Sequence, residues 1–271
     1  MRIRVRYATT YAYDQPASGV IQALRLTPSE HDGQDILGWR VDVDVDGVLR
    51  VSRDAFGNVL HLFYAEGPVD RLTVRVTGEA EVREMAGVVR GAPEPLAPEV
   101  FLRGTPLTAA DAALSAWAEQ IPGDDLLGRL HVLTADLHAR MRFDTQATAV
   151  ETTAAEAFVQ GHGVCQDYAH IFIAAARRLG VPARYVSGHL ARSDAGEQEA
   201  GHAWAEAYVP DLGWTAFDPA NGVCADRNYL RVATGLDYLD AAPLRGARRG
   251  GGEERLSVAV LARESMRQRQ D

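Results

Sequence analysis

Apolar and polar residues alternate through much of the first 90 positions. Trp39, Val41, Val43 and Val45 take every second place with Arg40, Asp42, Asp44 and Asp46 between them, the period of a strand with one wet face. Similar runs predict strands at 2–8, 20–27, 48–53, 59–65 and 71–83, and Asp54-Ala55-Phe56-Gly57-Asn58 reads as a turn. Six short strands without a helical period predict a small β-sandwich. Asp42-x-Asp44-x-Asp46-Gly47 also opens like a calcium loop. Arg53 stands where such a loop needs a bidentate acid, and the alternating valines fit a solvated strand face instead.

The pattern changes at Gly91-Ala92-Pro93-Glu94-Pro95-Leu96-Ala97-Pro98, a proline-rich and therefore semi-rigid connection. Beyond it the spacing becomes helical. Thr108, with Asp111 three residues later, predicts a helix start and a segment reaching Gln120. Leu126, Leu130, Leu133, Leu137 and Met141 form one apolar stripe at helical spacing. A third helix is predicted from Cys165 to Leu179, stopped by Gly180 with Pro182 behind it. Strands follow at 183–190, 202–209, 214–218 and 256–262. Helices first and strands after make an α+β pattern. The expected division is an N-terminal β domain over 1–90, a linker over 91–107, a core over 108–263 and a polar tail over 264–271.

Composition adds exclusions. The 271 residues are 46% hydrophobic and 24% charged, ordinary for a folded chain. A net charge of −9 argues against a nucleic-acid partner, and no apolar run approaches a membrane span. The opening Met1-Arg2-Ile3-Arg4-Val5-Arg6-Tyr7 alternates like a strand rather than a signal peptide, so a soluble cytoplasmic protein is the expectation. All 28 basic residues are arginine. The chain therefore offers neither a Schiff-base lysine nor a lysine acceptor for self-crosslinking. Its two cysteines, Cys165 and Cys224, are too few for a disulfide framework or a four-thiolate zinc site.

One cysteine has a suggestive setting. Gly161-His162-Gly163-Val164-Cys165 puts a thiol where a glycine-rich turn meets a helix N-terminus, whose free amides and dipole favour the attacking thiolate. A buried, inert cysteine is the alternative that this placement alone leaves open. Downstream, Gly201-His202-Ala203-Trp204 starts one strand and Asp218-Pro219 ends the next. Cys, His and Asp in that order, the thiol on a helix and the others on strands, is a papain-like nucleophile, base and orienter.

These residues lie in longer runs that resemble the bacterial transglutaminase-like superfamily. The runs are Gly163-Val164-Cys165-Gln166-Asp167-Tyr168-Ala169-His170, and Arg177-x-Leu179-Gly180-Val181-Pro182-Ala183-Arg184-Tyr185-Val186-Ser187-Gly188. His202-Ala203-Trp204-x-Glu206 and Gly213-Trp214-x-x-Phe217-Asp218-Pro219 extend the likeness, as does the Asp54-x-Phe56-Gly57-Asn58 turn of the N-terminal part. Gly235-Leu236-Asp237-Tyr238 through Arg245-Gly246 also resembles one branch of it, with Leu236 where the usual form has arginine. The resemblance implies a papain-like or transglutaminase core preceded by a β domain, and carries the catalytic roles to Cys165, His202 and Asp218. It implies acyl transfer on a peptide or protein substrate through a thioester, without cofactor or metal. Water as acceptor makes a peptidase or amidase, an amine a crosslinker, and a chain that only binds would keep the cleft without the chemistry.

The hairpin geometry sets a difficulty. A three-residue loop Asp211-Leu212-Gly213 would pair Pro210 with Trp214 and leave Asp218 opposite Glu206, roughly 13 Å along the sheet from His202. A bulge, coiling or a longer loop is needed to close that gap. Glu206 itself reads as support for the sheet or a neighbouring arginine. His162 and His170 read as local structure, Trp204 and Trp214 as core or cleft wall, and Cys224 as structural. His189 and Tyr185 fit either a cleft lining or the core, and Gln160 is a candidate oxyanion donor. A thiol of this kind predicts a bell-shaped pH window, inactivation by iodoacetamide and indifference to chelators.

Overall fold

The computed structural model describes residues 1–191 and 201–265. Two strands run far past the expected limits. β1 (Arg2–Thr27) joins the runs at 2–8 and 20–27, and after β2 (Gln34–Val43) and β3 (Val48–Arg53), β4 (Val59–Val82) does the same for 59–65 and 71–83. β1 and β4 pair antiparallel from Arg2 opposite Glu81 to Thr27 opposite Val59. Register shifts between Ala12 and Gly19 absorb Asp14, Gln15 and Pro16, residues that look like a turn in sequence. A bulge bends a ladder without ending it.

The chain then crosses to the second sheet with β5 (Val88–Val89). The helices α1 (Ala112–Gln120) and α2 (Leu126–Arg140) follow, then β6 (Arg142–Phe143), α3 (Ala154–Gln160) and β7 (His162–Gly163). α4 (Cys165–Arg178) precedes the strands β8 (Ala183–Leu190), β9 (His202–Val209), β10 (Gly213–Asp218), β11 (Val223–Cys224) and β12 (Tyr229–Gly235). After the short α5 (Tyr238–Ala241), β13 (Leu244–Gly250) and β14 (Glu254–Glu264) return to the first sheet.

That return corrects two expectations. The strands of the β domain are hydrogen-bonded into one six-stranded sheet that is not confined to residues 1–90, because β13 and β14, which both pair with β1, supply two of them. The strand expected at 256–262 therefore belongs to the N-terminal sheet and not to the core. Helix limits shift as well. α1 is capped by Asp111, which accepts from the Leu114 amide at 2.8 Å, while Thr108 closes a separate turn with Thr105. α3 was not anticipated, although Thr153 and Glu156 form a reciprocal capping box.

The second sheet runs β11-β10-β9-β8-β12, with β5 against β10. α4 is the central helix: every residue from Asp167 to Ala176 is buried. A helix apolar nearly all round needs partners on both sides. Ala203, Ala205 and Ala207 of β9 and Phe217 share its core on one side, and Leu130, Leu133, Leu137 and Leu114 on the other.

The two sheets are fastened by polar groups. Gln34 exchanges two 2.9 Å bonds with the Arg231 backbone, and Asn58 does the same with Thr234 at 2.7 and 2.8 Å. Glu94 of the proline-rich connection grips the buried Arg184 through both oxygens, at 2.6 and 2.9 Å. Such forked carboxylate–guanidinium pairs fix orientation as well as charge.

Candidate active site

Every α-helix before α4 has a side-chain N-cap: Asp111, Asp125 and Thr153. α4 does not, because its N-cap is Val164. Asp167 reaches back instead, its Oδ2 accepting the Val164 amide at 2.8 Å and the Thr148 hydroxyl at 2.7 Å. Gly163 makes this possible, since a Cβ there would lie 2.6 Å from that oxygen. Cys165, the first helical residue, is thus left partly exposed at an N-terminus without a side-chain cap.

His202 opens β9 and Asp218 closes β10. The hairpin pairs Val209 with Gly213, not Pro210 with Trp214, so Asp218 falls opposite Trp204 and not Glu206. That register brings Asp218 two residues closer to His202 than expected. Diagonal neighbours on one sheet face are ~7–8 Å apart, within reach of a long side chain. His202 Nε2 lies 2.6 Å from Asp218 Oδ2. The difficulty raised by the sequence came from the loop register, and no bulge is required between the two strands.

Asp218 is fully buried and heavily bonded. Oδ1 accepts the amides of Ala220 at 3.0 Å and Asn221 at 3.2 Å. Oδ2 takes the Asn221 side-chain amide at 2.6 Å and the Tyr229 hydroxyl at 2.8 Å besides the imidazole. Burial opposes its charge, but these donors, His202 foremost, hold its carboxyl below the ordinary value. Burial likewise opposes charge on His202. The bond to Asp218 and then the interaction with the Cys165 thiol prevail and push its pKa from 6.5 up to about 10. With Nε2 committed to Asp218, Nδ1 is the nitrogen left for the thiol. Trp204 flanks the ring at 6.1 Å between centroids, 30° from parallel. Its own indole N–H is buried without a partner among the described residues.

The other candidates separate cleanly. Glu206 is fully buried between Arg184 at 2.6 Å and Arg231 at 2.7 Å, a support for the sheet. Trp214 lies under the Arg184 guanidinium, 3.8 Å away. His170 is buried inside α4, accepts the Tyr238 amide at 3.1 Å, and is held neutral by burial, its pKa down to about 3. His162 is half-buried in β7 just before the thiol, its Nδ1 without a partner among the described residues. His189 is buried toward Tyr7 of the first sheet, and Tyr185 lies in the helix-side core against His170. Gln160 ends α3 exposed to solvent and makes no bond to the Cys165 group among the described residues. Asn221 and Tyr229 went unread in the sequence. Asn221, three residues past Asp218, carried an Asx-turn signal; Tyr229 carried none, being placed only by the sheet.

Among the described residues, no group of three or more His, Cys, Asp or Glu side chains could hold a metal ion. No described helix is long and apolar enough to cross a membrane.

Comparison with known proteins identifies the family and the fold. Residues 115–219 match the transglutaminase-like superfamily core, and residues 3–81 match the bacterial transglutaminase-like N-terminal region. An uncharacterised protein of Mycobacterium leprae is 32% identical over 282 residues, covering 96% of this chain and 97% of the relative. An uncharacterised Mycobacterium tuberculosis protein is 29% identical over 90% of this chain and 87% of its own. Among solved structures, a protein of Cytophaga hutchinsonii named "Putative Cysteine Protease" shares the fold with a TM-score of 0.77 at 20% identity, over 98% of this chain and 92% of that one.

Proposed function

The chain belongs to the transglutaminase-like superfamily, and from that membership we propose that it is a thiol-dependent acyl-transfer enzyme that hydrolyses peptide or glutamine carboxamide bonds. The observation that carries this reading is the imidazole of His202, held by Asp218 at 2.6 Å through Nε2, with the Cys165 thiol among the groups that raise its pKa. In the proposed cycle the Cys165 thiolate attacks the carbonyl carbon, and the uncapped amide of Cys165 faces the oxyanion. The C–N bond breaks as the leaving amine takes the proton from His202, giving a thioester. Water, deprotonated by His202, then cleaves the thioester to the acid and restores the thiol. Asp218 holds the ring tautomer and the imidazolium charge throughout.

Water is favoured over an amine as acceptor by abundance at a partly exposed thiol. The test combines labelling with product mass. Iodoacetamide should modify Cys165 in the wild type, and His202→Ala should slow that labelling. A glutamine peptide incubated with and without a primary amine should gain the mass change of hydrolysis in both. Incorporation of the amine would replace hydrolysis by crosslinking. Cys165 labelling that ignores His202→Ala, with no turnover of any peptide library, would leave a peptide-binding module.

A further inference from the structure

We infer that Tyr229 is a positioning residue for the His202–Asp218 pair, and that the N-terminal sheet sets it in place by gripping the edge of β12. The inference rests on the acyl-transfer reading above. The Tyr229 hydroxyl donates to Asp218 Oδ2 at 2.8 Å, the oxygen that also receives His202 Nε2 at 2.6 Å. Its ring lies 5.8 Å from the imidazole and meets Trp204 edge-on at 5.4 Å. One side chain therefore restrains both the carboxylate and the flank of the ring. Burial and the nearby Asp218 charge raise the phenol's pKa, so the group stays a donor while the enzyme works.

β12 ends its sheet, with β8 as its only strand neighbour among the described residues. Backbone groups of residues three apart in a regular strand point to opposite edges. The register shift between Arg231 and Ala233 turns Arg231 and Thr234 to the same open side. Gln34 and Asn58 fill that side, each amide offering one donor and one acceptor as a neighbouring strand would. Asn58 is aimed by Asp54, which accepts both its backbone and side-chain N–H at 3.1 Å and pairs with Arg25 at 2.7 Å. The Asp54–Asn58 turn is then a clamp on the strand that carries Tyr229, and the N-terminal sheet is part of the apparatus that orients the imidazole.

The hydroxyl competes with the imidazole N–H for one oxygen. Without it, more of the carboxylate's charge falls on the ring, whose proton is held more tightly, while its orientation loses a restraint. Full-length Tyr229→Phe, checked by thermal melting, should lower kcat about 10–100-fold with KM within about twofold, the scale of one hydrogen bond to a charged group. The alkaline inflection of Cys165 alkylation by iodoacetamide, set by His202 at about 10 in the wild type, should move upward. Paired Gln34→Ala and Asn58→Ala should reduce kcat in the same sense and add little to Tyr229→Phe. Wild-type kcat and inflection in folded Tyr229→Phe would overturn the role of Tyr229. A clamp variant that only melts earlier, with kcat unchanged, would overturn the role of the N-terminal sheet. Cys165→Ala runs alongside: turnover surviving in it sinks the acyl-transfer reading, whereas its loss beside a wild-type-like Tyr229→Phe sinks this inference alone.

Discussion

β9 carries two buried polar clusters on one face, separated by Trp204. At its first residue, His202 bonds Asp218, its charge favoured also by Cys165; four residues on, Glu206 sits between Arg184 and Arg231. Both are ion pairs sealed by aromatic rings. Their difference lies in which member can release a proton. Arginine cannot, so the inner cluster is charged at any working pH and its Glu206, despite full burial, is driven by its two arginines from 4.5 down to about 2. Histidine can, and the outer cluster lies at the strand end where His202 keeps 13% of its side chain exposed. One strand thus carries a fixed brace and, one aromatic residue away, a group able to move protons.

The largest effect expected from breaking this contrast is on the outer cluster. Asp218→Asn keeps the shape but offers the imidazole a mixed donor and acceptor, and should lower kcat about 10³-fold or more with folding little changed. A loss below tenfold, read in steady-state kinetics, would mean Asp218 only packs. The inner cluster should fail differently. Glu206→Ala leaves two guanidinium groups buried without their shared partner, and should cost about 3–5 kcal/mol of stability by urea denaturation. The fraction still folded should alkylate at Cys165 like the wild type.

Much of this arrangement was readable from residue order, and the unread part has a common cause. The limits of β8 and β9, the leucine stripe of α2 and the thiol at the start of α4 all follow from local period and capping, which neighbours in sequence decide. The register of β10 does not. Asp211 takes a positive φ of 68° besides Gly213 at 92°, and a loop one residue earlier than assumed moves Asp218 two places along the partner strand. The continuity of β1 was hidden because a bulge and a turn use the same residues. Gln34 acts across 197 positions and Tyr229 across 11 on a different strand, contacts that only the assembled sheets define.

Stability against pH should separate the clusters at opposite ends of the scale. Glu206 is depressed in the folded chain, so its contribution is complete above about 4.5 and is lost as pH falls through about 2. His202 is raised, so its contribution is complete below about 6.5 and is lost as pH rises through about 10. Urea midpoints measured from pH 2 to 10 should fall at both ends. Glu206→Gln should alter the acid fall and His202→Ala the alkaline one. If either variant altered both, the two clusters would be one coupled unit through Trp204, and the contrast drawn between them would fail.

The smallest effect is expected at the second cysteine, which sharpens what the carboxylate adds. Cys224 Sγ lies 3.9 Å from His131 Nδ1, so this chain holds a second thiol beside an imidazole. It sits on β11 opposite Phe217 rather than at the first position of a helix, and no carboxylate is bonded to His131 among the described residues. Burial pushes the Cys224 thiol up from its ordinary value, toward the inert form. Cys224→Ser should therefore change kcat by less than about twofold, and in the wild type at neutral pH iodoacetamide should label Cys165 at least about tenfold faster than Cys224. Peptide mapping after brief alkylation reads both rates in one sample. Equal labelling would show that a neighbouring imidazole alone activates a thiol here, and that neither Asp218 nor the start of α4 distinguishes the reactive pair.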